Sequence, residues 1–204
     1  MAPCLALERP RIRQACSSDR PTMNDEQPRV LILPGWQNSG PQHWQSQWQA
    51  THGFERVEQA DWDWPRRGDW MARLDEALLS VAQPAVLVAH SLGCQLVAAW
   101  AGHSRHTGRV QGALLVAPPD TAREDMPPQL STWHQIATAR LPFATHVVYS
   151  TDDPFCAADR ARSMAAAWGA RATAVGACGR LNGDSGLGAW PEGLAWLNEL
   201  RQSR

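Results

Sequence analysis

Two hydrophobic patterns alternate along the chain. Short continuous apolar runs at residues 30–33, 85–89, 110–116 and 146–150 carry no regular polar break, which predicts strands buried on both faces. Weaker strand signals fall at 56–59 and 172–175. Helical stretches are predicted over 42–50, 69–81, 92–101, 158–168 and 192–202. In the second of these, Trp70, Leu74, Ala77, Leu78 and Val81 recur at three- and four-residue spacings on one face, with Asp69 as the expected N-cap. A proline-rich excursion separates the strands at 110–116 and 146–150, and no internal repeat or low-complexity tract intervenes. Buried strands alternating with helices predict an α/β fold: one doubly wound, mainly parallel sheet with helices on both faces and no large lid.

With 204 residues the chain has the size of one domain, expected over 23–204. Residues 1–22 hold Arg9, Arg11, Arg13 and Arg20 without any helical or strand period, and are expected to be a disordered extension or an upstream start preceding Met23. Pro3, Pro10 and Pro21 would break the amphipathic helix of a transit peptide, and an apolar signal core is lacking. Nineteen basic groups against 20 acidic ones leave a formal charge of −1, so nothing draws the chain towards nucleic acid or an anionic membrane. No apolar run is long enough to span a bilayer. All the basic residues are arginine, which removes Schiff-base and P-loop lysine chemistry. Cys4, Cys16, Cys94, Cys156 and Cys178 form no CxxC pair and no metal-ligand spacing; no metal or cofactor is expected, and a reducing cytoplasm fits.

The strand at 85–89 runs directly into Ala89-His90-Ser91-Leu92-Gly93 and then a helix. This is the G-x-S-x-G elbow with alanine first: small residues permit a tight turn that lifts the Ser91 hydroxyl above the sheet, while the Leu92 N–H faces a developing oxyanion. The bland alternative is a serine that only caps the helix. Past the strand at 146–150, Asp152-Asp153-Pro154 lies where an orienting carboxylate belongs in the order Ser, acid, His, with Asp153 favoured and Asp152 a turn residue. An Asp-Pro turn alone would give the same sequence.

The stretches Leu33-Pro34-Gly35-Trp36-Gln37-Asn38-Ser39-Gly40-Pro41-Gln42-His43-Trp44-Gln45, Ala89-His90-Ser91-Leu92-Gly93-Cys94, Val116-Ala117-Pro118-Pro119-Asp120, Asp153-Pro154 and Asp184-Ser185-Gly186-Leu187-Gly188-Ala189-Trp190-Pro191-Glu192-Gly193 together resemble the retinoblastoma-binding-protein-9 and YdeN-like family of small α/β-hydrolases. The likeness runs from about Arg29 to Leu200. It implies a compact serine hydrolase with Ser91 as nucleophile and Asp153 as orienting acid. Trp36 and Gln37, on the loop after the first strand, would supply part of the oxyanion hole. His43 would have a structural or pocket role. At one position the chain departs from the pattern: where the family carries Gly-His, with the histidine as general base, Cys178-Gly179-Arg180-Leu181 places Arg180. A guanidinium offers only donors and stays protonated, so it cannot take the serine proton; a salt bridge with Asp153 is open to it instead.

Other histidines are weak substitutes. His90 should project away from the hydroxyl. His134, in the excursion, is the least implausible replacement, and His52, His103, His106 and His146 read as surface or strand residues. Cys178 adjoins the altered position without a signal of a reactive thiol. Of eleven tryptophans, most are expected to pack, with Trp36, Trp44 and Trp64 as candidates for a pocket wall. Arg66 and Arg67 suit either an anionic substrate or a solvated loop. Two readings remain: a hydrolase of a small ester, amide or thioester slowed by the missing histidine, or a catalytically silent relative that binds a small acyl-type ligand or a protein.

Overall fold

A computed structural model describes residues 27–203; the extension expected over 1–22 lies outside them. The strands are β1 (Arg29–Leu33), β2 (Glu55–Arg56), β3 (Ala85–His90), β4 (Val110–Val116), β5 (Ala144–Tyr149) and β6 (Arg171–Ala174). They form one sheet in the order β2-β1-β3-β4-β5-β6, with every pairing parallel. The helices are α1 (Trp44–His52), α2 (Arg67–Leu79), α3 (Leu92–Ala101), α4 (Ala158–Trp168) and α5 (Pro191–Gln202).

The side-chain alternation of the strands divides the core in two. Leu31, Leu33, Leu87, Ala89, Ala113, Leu115, Val147 and Tyr149 face α2, α3 and α4, where Trp70, Leu74, Trp100, Met164 and Trp168 pack. Val30, Val86, Val88, Leu114, Val116 and Val148 face α1 and α5, against Trp44, Trp48, Leu197 and Leu200. Both faces are therefore covered, which is why the central strands read as unbroken apolar runs. α3 is buried along Leu92–Trp100, matching its lack of a polar face.

Two details of α2 differ from expectation. It starts at Arg67 after Arg66, and Asp69 sits in its first turn, where a carboxylate suits the helix dipole without capping it. Val81 lies beyond the end of the helix and is 45% exposed, so the apolar face stops at Leu78. Among the described residues no helix is long and apolar enough to cross a membrane.

The strand order reverses direction at β1: the chain moves outward to β2 and then returns to the other side at β3. A crevice opens at the carboxyl ends of strands flanking such a switch point. The loops after β1 and β3 meet there.

Candidate active site

Close approach of two backbones builds the floor of this crevice. A Cβ on Gly93 would stand 2.4 Å from the Leu33 carbonyl oxygen, and one on Gly35 would stand 2.8 Å from the Ser91 Cβ. Glycine at both positions lets α3 and the loop after β1 close around Ser91. Ser91 takes φ 51 and ψ −123 between β3 and α3, a strained conformation for a residue with a side chain. Its N–H donates to the Val116 carbonyl at 2.9 Å. Strain recurs around the same crevice, with positive φ at Gln37 and Asn38 after β1 and at Ala117 after β4.

The β1 loop is held from below by Gln45, which is fully buried on α1. Its Nε2 donates to the carbonyls of Leu33 and Val88 at 3.2 and 3.0 Å, and its Oε1 accepts from the Ser39 hydroxyl at 2.7 Å. Arg56 adds a second clamp, donating to Asn38 Oδ1 and the Ser39 carbonyl. The Gln37 N–H is taken by the Trp62 carbonyl at 3.0 Å, so Gln37 lines the crevice without a backbone donor to spare. The Trp36 N–H has no partner among the described residues, and the Leu92 N–H stands at the open first turn of α3.

A chain of two imidazoles crosses beneath the site. The Gln45 N–H donates to His43 Nδ1 at 3.1 Å, which fixes the remaining His43 proton on Nε2. That nitrogen faces His90 Nδ1 at 3.3 Å, and His90 Nε2 in turn donates to the Arg180 carbonyl at 2.9 Å. Each ring is thus a neutral tautomer set by its neighbour. Burial, and then the proximity of His90, push His43 down to about 2. Burial lowers His90 to about 4, against the raising effect of its bond to the Arg180 carbonyl.

The loops after β5 and β6 complete the rim. Asp152 Oδ1 accepts from the Ser150 hydroxyl and from the Gly179 N–H at 2.6 and 2.7 Å, and these bonds hold its carboxyl below the ordinary range. Asp152 therefore shapes the turn before Arg180. Asp153 Oδ1 accepts from the Phe155 N–H at 2.9 Å, while burial raises its carboxyl. The salt bridge open to Arg180 and Asp153 is not formed: no ion pair joins them among the described residues. Arg180 instead lays its guanidinium 3.8 Å over the Phe155 ring and donates from Nη2 to Ser91 Oγ at 2.8 Å. Packing on an aromatic face directs the planar donors sideways, towards the serine.

The resulting cavity is about 400 Å³ and is lined by Gly35, Trp36, His43, His90, Ser91 and Arg180, among others. Of the proposed tryptophan wall only Trp36 lines it. Trp44 is buried in the core, donating from Nε1 to the Leu181 carbonyl, and Trp64 is 57% exposed away from the site. His134 is exposed and outside the cavity, and Arg67 donates to the Gln135 carbonyl on the surface. Cys178 Sγ donates to the Val175 carbonyl at 3.4 Å. Sequence reasoning did not identify Gln45, Phe155 or the role of His90. A glutamine on the inward face of a tryptophan-rich helix was the one available signal for the first of these.

A YdeN-like hydrolase from Pectobacterium atrosepticum superimposes with a TM-score of 0.76 at 27% identity, covering 87% of this chain and 92% of that one. The ydeN gene product from Bacillus subtilis gives a TM-score of 0.66 at 20% identity, covering 85% and 98%. The Bacillus cereus carboxylesterase shares the fold alone, with a TM-score of 0.56 at 16% identity, covering 86% and 90%. A search of curated proteins found no match. The family model described as serine hydrolase matches residues 30–199, through every strand and the Ser91 turn, and the chain belongs to that family.

Proposed function

We propose that the protein is a serine hydrolase acting on a small ester, amide or thioester through Ser91, and that its turnover is slow because Arg180 stands where a general-base histidine belongs. The observation that carries this reading is the hydrogen bond from Arg180 Nη2 to Ser91 Oγ at 2.8 Å. In the reaction, the acyl carbonyl oxygen would lie at the N–H groups of Leu92 and Trp36, and Ser91 Oγ would attack the carbonyl carbon. Two features oppose the attack. The guanidinium occupies a lone pair of the nucleophile, and it has no capacity to accept the hydroxyl proton. No imidazole bonds the Ser91 hydroxyl among the described residues, since His43 and His90 are engaged with each other and with the Arg180 carbonyl. Asp153, deprived of an imidazole to orient, is left with the Phe155 N–H.

Oxyanion donors and substrate binding alone retain roughly 10³- to 10⁴-fold acceleration over water when a triad member is missing. Weak turnover of p-nitrophenyl acetate or butyrate is therefore expected. Arg180→His should raise kcat/KM at least about 100-fold, equivalent to roughly 2.7 kcal/mol of transition-state stabilisation. Ordinary enzyme rates in the unaltered protein, left intact by Arg180→Ala, would refute the assignment. A second reading, the same cavity used for binding without turnover, is favoured by the same Arg180 contact. A fluorophosphonate probe separates the two: labelling of Ser91 indicates an activated hydroxyl, and silence supports binding. The fold-borne site needs no cofactor, and a cytoplasmic setting is part of this proposal.

A further inference from the structure

Arg180 is a cation without a carboxylate partner. No acidic side chain lies within ion-pair distance of it among the described residues, its Nε is buried with no acceptor, and Nη1 makes no hydrogen bond. Burial lowers the guanidinium from its ordinary value, and the attraction of Asp153 only partly offsets this. A partly buried charge left in that condition is costly, and an anion brought beside it recovers the loss. The cavity supplies the rest of an anion seat. Trp36, Ser91 and Arg180 line the same cavity; the Trp36 N–H has no partner among the described residues, and the Leu92 N–H, next in the chain to Ser91, lies in the open first turn of the ten-residue α3. Phe155 holds one face of the guanidinium, so its donors remain in the plane that meets the cavity.

We propose that this cavity binds the carboxylate of a small aliphatic acid, one oxygen on the Arg180 guanidinium and the other on the N–H groups of Trp36 and Leu92. The inference rests on the reading that the cavity over Ser91 is the ligand site, and goes beyond it by naming an anion in place of a neutral acyl group. A carboxylate suits the seat because its two oxygens can be met by separate donors, a guanidinium on one and backbone N–H groups on the other. A 400 Å³ cavity leaves room for a short alkyl chain along Trp36 and Pro41. The other charges near the site do not reverse its sign. Arg56 braces the Asn38 loop, Asp153 is engaged by the Phe155 N–H, and Asp184 sits exposed at the rim.

The test is calorimetric titration of the full chain with sodium butyrate and with butyramide, its neutral counterpart, at constant ionic strength. Butyrate should bind at least tenfold tighter than butyramide, and Arg180→Gln should reduce that ratio to near one while leaving the melting temperature of the ligand-free protein unchanged or higher. Should Arg180→Gln fail to fold, Arg180→Lys serves, with an intermediate ratio expected from one donor in place of a fork. Equal binding of acid and amide, or a preference that survives Arg180→Gln, overturns the proposal. Ester turnover by Arg180→His, measured alongside, keeps the two ideas apart. Turnover gained without any carboxylate preference in the unaltered protein sinks the anion seat and leaves Ser91 as nucleophile. A carboxylate preference with Arg180→His still inert supports the seat and removes the nucleophile.

Discussion

Mild acid should destabilise this protein before its carboxylates protonate. The perturbation is a fall from pH 7 to 4.5, and the responsive groups are His43 and His90. Unfolded, each titrates near 6.5; folded, burial holds them at about 2 and about 4. Between these limits the unfolded chain binds protons that the native chain refuses, so stability is complete above pH 6.5 and declines as pH falls through the window. The slope approaches 1.4 kcal/mol per pH unit for each imidazole, roughly 2 to 3 for the pair, and integrates to about 4 kcal/mol between pH 6.5 and 4.5. That is a large share of the roughly 5 to 15 kcal/mol that holds an ordinary domain together. His146, lowered by burial and by Arg171, acts in the same direction. The raised carboxyl of Asp153 has the opposite sign, while the lowered one of Asp152 acts with the histidines only at still lower pH. The interval from pH 6.5 to 5 therefore belongs chiefly to imidazoles.

Urea unfolding at half-unit pH steps, followed by tryptophan fluorescence, measures this directly. Trp44, which lies 5.2 Å from the His43 ring and 6.2 Å from the His90 ring, is one of eleven tryptophans whose summed emission reports the global transition. His90→Gln should remove about one proton equivalent from the slope. A midpoint that stays level from pH 6.5 to 5, with an unchanged denaturant dependence, would refute the argument that both rings are buried neutral.

Gly93→Ala should destabilise the fold by about 2 kcal/mol or more in the same urea assay, because the new methyl group would meet the Leu33 and Pro34 carbonyl oxygens at 2.4 and 2.9 Å, backbone atoms that cannot swing aside. Gly108→Ala, with open space around it, should change the midpoint little. Gln45→Leu removes two donors from the Leu33 and Val88 carbonyls and the acceptor of the Ser39 hydroxyl, for an expected loss of roughly 2 to 4 kcal/mol in thermal unfolding. A neutral result there would mean that the β1 loop holds itself.

The parts of the molecule legible in the sequence are those set by local sterics or by periodicity. α3, β4 and α4 fall at their expected boundaries because an unbroken apolar run or a helical stripe has few alternative folds. Gly93, two residues after Ser91, is readable for the same reason, since a tight turn tolerates little else. Asp69 misled because an acid before an apolar stripe resembles a cap, although the helix had already begun at Arg67. Long-range electrostatics was the least legible part. Opposite charges at 153 and 180 suggest a pair on paper, yet Phe155 takes the face of the guanidinium and Ser91 takes its donor. The contact between His43 and His90 spans 47 residues and depends on how α1 docks beneath the sheet, which no spacing rule encodes.

The environment of residue 180 is fixed before its side chain contributes anything. The Gly179 N–H is held by Asp152, the Arg180 carbonyl by His90, and the Leu181 carbonyl by Trp44, from three different elements of the chain. Leu181 is fully buried and, like Gly179, has positive φ, so the turn cannot slide. A side chain exchanged at 180 therefore leaves from the same point and in the same direction, over Ser91. The arginine donates to the Ser91 hydroxyl without being needed to build the turn that presents it. Hence a histidine placed there tests proton transfer rather than folding, and a glutamine tests charge rather than shape. An arginine held partly buried here, its Nε without an acceptor and no carboxylate within ion-pair distance among the described residues, is better compensated if something negative meets it in the cavity than if the cavity served only neutral esters.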